Sequence, residues 1–381
     1  MKFLASKVCS GCGVCVAGCP KKAIELVRNM DGFLEAQIND KACVNCGLCL
    51  KLCSFAEGQV KKINKPLDAY VYQSAKSESI QKSASGGVCN DLAVEMVNVG
   101  GKVCGAIFDT LSCSVKHIVT DKYDELQLIQ GSKYLQSDLT GALSLLLKEQ
   151  SKGRIFGTPC QINAINNLLN KKNKRSDFVL VDFFCHGVPS YNVFDKYINY
   201  RLKSRKMDGI NFRDKKYGWG RYCVSVTCGD TTDYSTPEKG DFFIRAFLGN
   251  MCLNKSCYEC PFHSSMSAAD IRVSDSWGVK AFDNAKGSSA ILVYTEKGMQ
   301  QIASLTERGS LVNIAKESVL AGQLRGKIKR PFLYNFYSRI MRSNLSCKTI
   351  NRWIVSPNYM VNVVLRSYFN ALIKKIFNVK R

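Results

Sequence analysis

Apolar and polar positions change rhythm along the chain, and the changes mark out the expected elements. Residues 69–74 and 102–108 read as strands, with a helix expected over residues 87–97 between them. Residues 139–150 carry apolar side chains at helical spacing, residues 154–156 read as a short strand, and residues 161–170 as a helix. Residues 178–184 form an apolar run of strand type interrupted only at Asp182, and residues 193–203 are helical again. A less regular, more strand-like portion follows over residues 210–294. Near the end, Val361, Val364, Leu365, Tyr368, Phe369, Leu372 and Ile376 recur at the spacing of one helical face. The pattern is that of an α/β (α+β) protein. The first 57 residues do not fit it, being short of periodic elements and dense in Cys and Gly, and a polar linker over residues 58–66 sets them apart.

Composition narrows the class. A hydrophobic share of 46% with 22% charged residues in 381 is globular, which excludes wholesale disorder. No apolar run approaches the roughly 20 residues of a membrane span, and residues 1–5 do not have the make-up of a secretory signal. Nineteen cysteines without an export signal point to metal or redox chemistry in a reducing compartment, so a cytoplasmic location is expected. Charge is uneven. Residues 325–381 hold 13 Lys/Arg and no acid, while the rest of the chain carries 41 Lys/Arg against 31 Asp/Glu, a mild +10.

The start contains Cys9-x2-Cys12-x2-Cys15-x3-Cys19-Pro20 and, 34 residues later, Cys43-x2-Cys46-x2-Cys49-x3-Cys53-Ser54. Three closely spaced thiolates reach three corners of one cuboidal cluster, and the fourth of each run crosses to the other cluster. Two 4Fe–4S clusters are therefore expected, one on Cys9, Cys12, Cys15 and Cys53, the other on Cys43, Cys46, Cys49 and Cys19. Gly11, Gly13 and Gly47 allow the tight wrapping this needs. Zinc also takes Cys-x2-Cys, but it rarely uses a third cysteine two residues on, twice repeated. The segment resembles bacterial two-cluster ferredoxins, with Ser54 where those have proline.

Three turns precede expected helices: Ser85-Gly86-Gly87, Gly157-Thr158-Pro159-Cys160-Gln161, and Cys185-His186-Gly187-Val188-Pro189-Ser190. Thr158 is a candidate N-cap with Pro159 as the first helical residue, and such helix starts offer free N–H groups to phosphate. A third cysteine group, Cys252-x4-Cys257-x2-Cys260, suits an iron–sulfur cluster, zinc, or a merely buried role, with Cys185 as candidate fourth ligand.

These motifs together, with Gly131-Ser132-Lys133-Tyr134 and Asp275-x-Trp277-Gly278, resemble the family of coenzyme F420 hydrogenase and dehydrogenase beta subunits over about residues 1–325. Here Ser274-Asp275-Ser276 departs from the family's Gly-Asp before Trp-Gly. The resemblance implies an FAD-containing oxidoreductase core with a further 4Fe–4S cluster near the flavin. Family members reduce a deazaflavin coenzyme, plant relatives reduce a chlorophyll derivative, and some bacterial relatives accompany surface-polysaccharide synthesis. It also implies flavin contacts at Ser85, Gly86, Gly87, Gly131, Ser132, Lys133, Tyr134, Gly157, Thr158, Pro159, Cys160 and Gln161. Lys133 and His186 are the candidate catalytic groups, His186 also being suited to capping its turn. The third cluster would use Cys185, Cys252, Cys257 and Cys260.

The expected organisation is thus a two-cluster ferredoxin-like domain (1–57), an FAD-binding domain (66–324) and a basic, amphipathic helical tail (325–381). Single electrons from the clusters and two-electron chemistry at a flavin make the chain an oxidoreductase whose partner is a redox protein or small molecule. The rival reading is a non-catalytic adaptor delivering electrons to another enzyme. Nucleic acid is not the expected partner, because the basic excess lies in the tail and not in an aromatic-lined groove. The tail suits either an anionic membrane surface, with a peripheral location on its inner face, or a C-terminal helix packed on the core with its basic residues solvated.

Overall fold

The computed structural model describes residues 8–56, 63–148, 152–279, 281–282, 285–323, 328–366 and 368. Phe369, Leu372 and Ile376 of the expected tail stripe lie outside them. The cysteine-rich start contributes a hairpin, β1 (Ile24–Arg28) and β2 (Leu34–Ile38), and two short helices, Val14–Ala17 and Leu48–Leu52. Each helix begins on a glycine in the left-handed region, Gly13 at φ 73° and Gly47 at φ 70°, as a tight wrap around thiolates requires.

The body is a nine-stranded mixed sheet. Its strands are β3 (Asp68–Ser74), β4 (Lys102–Asp109), β5 (Ser114–Thr120), β6 (Ser137–Asp138), β7 (Gly153–Phe156), β8 (Phe178–Phe183), β12 (Ile271–Asp275), β13 (Ser289–Val293) and β14 (Gly309–Asn313), in the order β14-β3-β13-β12-β8-β7-β4-β5-β6. The central strands β12, β8, β7 and β4 run parallel, and antiparallel strands flank them. Burial on both faces explains why β8 reads as an apolar run broken only by Asp182. At its centre Asp182 receives Arg272 Nε and Nη2, each at 2.7 Å, with both side chains fully buried.

Two apolar layers cover the sheet. Helix Val88–Asn98 packs on one face with Tyr72, Val181 and Ile291, and helices Thr140–Lys148 and Pro159–Lys171 on the other with Ile155 and Leu180. Val14 and Leu52 of the cysteine-rich start join the second layer. A small sheet, β9 (Gly209–Asp214), β10 (Cys223–Cys228) and β11 (Thr231–Ser235), shares a third cluster with helices Tyr191–Leu202 and Phe242–Leu248. Tyr337, Met341, Cys347, Ile350 and Val355 are buried in that cluster, so the C-terminal helical segment is partly core.

Candidate functional site

Three adjacent parallel strands end at one edge of the sheet, the position where open α/β sheets place ligands. Beyond β7 the chain enters Gly157-Thr158-Pro159-Cys160 and then a helix. Beyond β8 lies Phe184-Cys185-His186, and β12 ends on Asp275. The first turn is fixed by its cap: Gln161 Oε1 accepts from the Thr158 N–H at 3.0 Å, and Pro159 opens the helix.

A cavity of about 1150 Å³ opens at this edge. It exceeds the roughly 300–1,000 Å³ of ordinary ligand clefts. Ser85, Gly87, Gly131, Ser132, Lys133, Tyr134, Gly157, Thr158, Gln161 and His186 all line it, so turns far apart in sequence meet on one wall. Three expected contacts are elsewhere. Gly86 is wedged behind the wall, where a Cβ would stand 2.5 Å from the Tyr72 carbonyl and 2.7 Å from Ser289 N. Pro159 and Cys160 face the cysteine group instead.

That group differs from the expected one. Cys160, Cys185, Cys257 and Cys260 line a second, small space of about 50 Å³. Burial first, and then the nearness of Cys160 and Cys260, pushes the Cys185 thiol up to about 12. The Cys257 thiol is raised by burial and by Cys185, Cys160 and Cys260 together. Cys252 is not among them. It is buried with Tyr337 and Met341, its carbonyl accepts from Ser190 N at 2.9 Å, and helix Lys255–Tyr258 turns the chain before Cys257 reaches the other thiols. Cys160 stands with the other three instead.

The N-terminal cysteines adjoin this space. Burial and then Cys9, Cys53 and Cys49 raise the Cys15 thiol to about 12, so Cys53 and Cys49 both lie near the first run. Cys19 and Cys49 pack with Cys9 around Cys15. Cys49 feels, after burial, Cys46 and Cys43. Cys12 is raised by burial, then Cys15, then Cys160 and Cys9, which sets it between its own run and the strand-end group. Ser54, standing where ferredoxins have proline, is buried, and its hydroxyl donates to the Cys160 carbonyl at 2.6 Å. Among the described residues no three His, Cys, Asp or Glu side chains converge as on a single bound ion.

His186 lies where the two spaces meet and lines both. Its ring stands edge-on to Phe247 with centroids 4.9 Å apart, burial lowers its pKa, and Nε2 has no hydrogen-bond partner among the described residues. Lys133 lines the cavity, but its Nζ donates to the carbonyls of Leu128, Ile129 and Gln130 at 2.9, 2.8 and 2.7 Å, capping helix Tyr123–Ile129. Burial pushes its ammonium down to about 7.

Several wall residues were not expected from sequence. His117, on β5, donates from Nε2 to the Phe156 carbonyl (3.1 Å), while Nδ1 is buried without a partner among the described residues; burial lowers its pKa to about 4. Arg213 lies 3.4 Å from Asp275 and over the rings of Tyr222 (4.0 Å) and Trp277 (5.5 Å). Burial raises the Asp275 carboxyl against the pull of Arg213. Asn358, Asn362 and Arg366 add an edge from the C-terminal helix. Only the Asp275–Trp277 motif gave any signal in sequence.

Two family models match the chain. Residues 8–56 match the 4Fe-4S dicluster domain, and residues 152–317 match the C terminus of the coenzyme F420 hydrogenase/dehydrogenase beta subunit. The chain joins these two domains. It is an oxidoreductase of the F420 hydrogenase/dehydrogenase beta-subunit type, carrying a dicluster domain at its N-terminal end. A subunit of the F(420)H(2) dehydrogenase of Methanosarcina mazei is 23% identical over 321 residues, covering 79% of this chain and 88% of that protein. The coenzyme F420-dependent sulfite reductase of Methanocaldococcus jannaschii is 28% identical over 176 residues, 44% of this chain and 26% of that enzyme. A chain of the F420-reducing [NiFe] hydrogenase complex from Methanosarcina barkeri superimposes with a TM-score of 0.47 at 16% identity, covering 74% of this chain and 90% of that one.

Proposed function

We propose that this beta-subunit-type oxidoreductase moves electrons between three 4Fe–4S clusters and FAD, and between FAD and a substrate at the large cavity. The observation that carries the reading is the bridging position of Cys160, Cys185, Cys257 and Cys260, with Cys12 on one side and the cavity on the other. Four thiols brought together on one small space suit a centre that would bind them as thiolates and supply the positive charge their own burial withholds. The first cluster would be held by Cys9, Cys12, Cys15 and Cys53, the second by Cys43, Cys46, Cys49 and Cys19.

The cavity fits a flavin dinucleotide. Its size, the glycine-bearing turns, the helix start at Pro159 and the unpartnered His117 Nδ1 all suit a large ligand with a diphosphate and ring acceptors or donors. When bound, the flavin supplies the exchange between one- and two-electron chemistry. Around it, His186 is set to hold or move a proton at Nε2, and Arg213 to offset negative charge, while Lys133 holds the wall by capping its helix. The wall of Phe183, Phe184 and Phe247 limits water.

The cavity favours an enzyme over an electron-transfer adaptor, because an adaptor needs no substrate-sized chamber. A reducing, cytoplasmic setting follows from the same thiol chemistry. A link to surface-polysaccharide synthesis rests on the sequence resemblance alone. The physiological donor is a redox protein meeting the exposed Cys46 side of the dicluster domain. Protein purified without oxygen should hold about 12 iron per chain and one non-covalent FAD. Zinc in place of iron overturns the cluster assignment, and a flavin-free protein with full iron favours the adaptor.

A further inference from the structure

We propose that the outer face of the C-terminal helix docks this protein on an anionic lipid surface. The proposal does not depend on which cofactors the core holds. Helical residues 347–366 combine α and π turns and have two unlike faces. Inward, Ile350 and Val355 are core, Asn351 Nδ2 donates to the Gly240 carbonyl at 2.7 Å, and Asn358 Nδ2 donates to Tyr337 Oη at 3.1 Å. Further along, Asn358, Asn362 and Arg366, four residues apart, border the cavity.

Outward, the apolar residues are bare. Trp353 is 69% exposed, Val361 59%, Leu365 46% and Tyr368 68%, and Phe332 stands fully in solvent nearby in sequence. This reverses the usual arrangement, in which a surface helix turns its apolar stripe to the core and its polar side to water. A bare apolar stripe of this kind marks a surface that is covered in use.

Charge selects the cover. From Arg325 onward the chain has 13 basic residues and no acid, so a second copy would set like charge against like. Anionic headgroups answer that charge, and Trp353 and Tyr368 are the residue types that settle at the headgroup level. Among the described residues no helix is long and apolar enough to cross a membrane, so the mode is interfacial. Because the same helix borders the cavity, docking would bring the cavity mouth to the lipid surface.

Flotation of the full-length holoprotein with vesicles tests this. It should rise with phosphatidylglycerol-rich vesicles, stay behind with phosphatidylcholine alone, and be released by 1 M salt, where the screening length falls to about 3 Å. Trp353→Ser/Val361→Ser/Leu365→Ser should keep iron and flavin and lower the bound fraction on the order of 100-fold. Lys348→Gln and Arg352→Gln, both exposed, should each lower it about fivefold, and they decide the matter if the triple variant does not fold. Equal flotation of these variants, no flotation of the wild type, or a wild-type dimer that the triple substitution dissociates would overturn the proposal. The last of these would make a second copy the occupant.

Discussion

Cys160→Ala and Cys252→Ala separate two ligand sets that look alike in sequence. If Cys160, Cys185, Cys257 and Cys260 hold the third cluster, Cys160→Ala removes one corner and iron should fall from about 12 to about 8 per chain. The Ser54 hydrogen bond goes to the Cys160 backbone carbonyl, so the alanine keeps the attachment of the dicluster domain. Cys252→Ala deletes one buried sulfur from an apolar cluster, at a cost near ~1 kcal/mol, with iron unchanged. Iron and flavin content, spectra of the reduced protein and stopped-flow flavin reduction should be read together. The Cys160 variant should keep its flavin and the two dicluster signals while electrons reach the flavin far more slowly. Full iron in Cys160→Ala with a loss in Cys252→Ala would refute the geometry and restore the set expected from spacing.

Three further outcomes follow from particular contacts. Ser54→Ala leaves the Cys160 carbonyl short of its buried donor, and should loosen the dicluster domain by about 1–3 kcal/mol, visible as faster proteolysis near residue 57. Burial lowers His117 from 6.5 to about 4, so between those values the unfolded chain binds a proton that the folded one does not. Stability should therefore fall as pH drops through that window, by up to about 3 kcal/mol, and His117→Gln should flatten that part of the melting-temperature profile. Arg272→Met leaves Asp182 charged and buried, and should cost about 3–5 kcal/mol in denaturant unfolding, whereas adding Asp182→Leu should recover most of it.

The parts legible in sequence were those whose chemistry is local. The cysteines of the dicluster domain lie within 11 residues of one another in each run, so spacing alone groups them, and Cys53 stands near Cys15 as the pattern suggests. The strand-type run at β8 and the cap at Thr158 are equally local. Cys160 was hidden because its turn looks like a phosphate loop, and because its partners sit 25 and nearly 100 residues away. Cys252 misled for the opposite reason, being close to Cys257 along the chain but on the far side of a helical turn. β5 went unread because its side chains alternate through Lys116 and His117 without a strong apolar run. The C-terminal stripe was visible, but periodicity cannot tell which face meets the core.

The fold explains why the cysteine group and the cavity share a wall. Parallel neighbours must release their chains at the same edge, and β7, β8 and β12 are neighbours. Each strand therefore delivers its following residues to one place. From β7, Gly157 and Thr158 turn to the cavity, while Cys160, one step into the helix, turns to the thiols. From β8, Cys185 and His186 both border the cavity and the thiol space, and β12 adds Asp275 on the cavity side. Moving either space away from the other would require changing the strand order. A short path between the thiol space and the cavity is thus a property of the sheet, while the shape of the cavity falls to the loops and to the C-terminal edge of Asn358, Asn362 and Arg366.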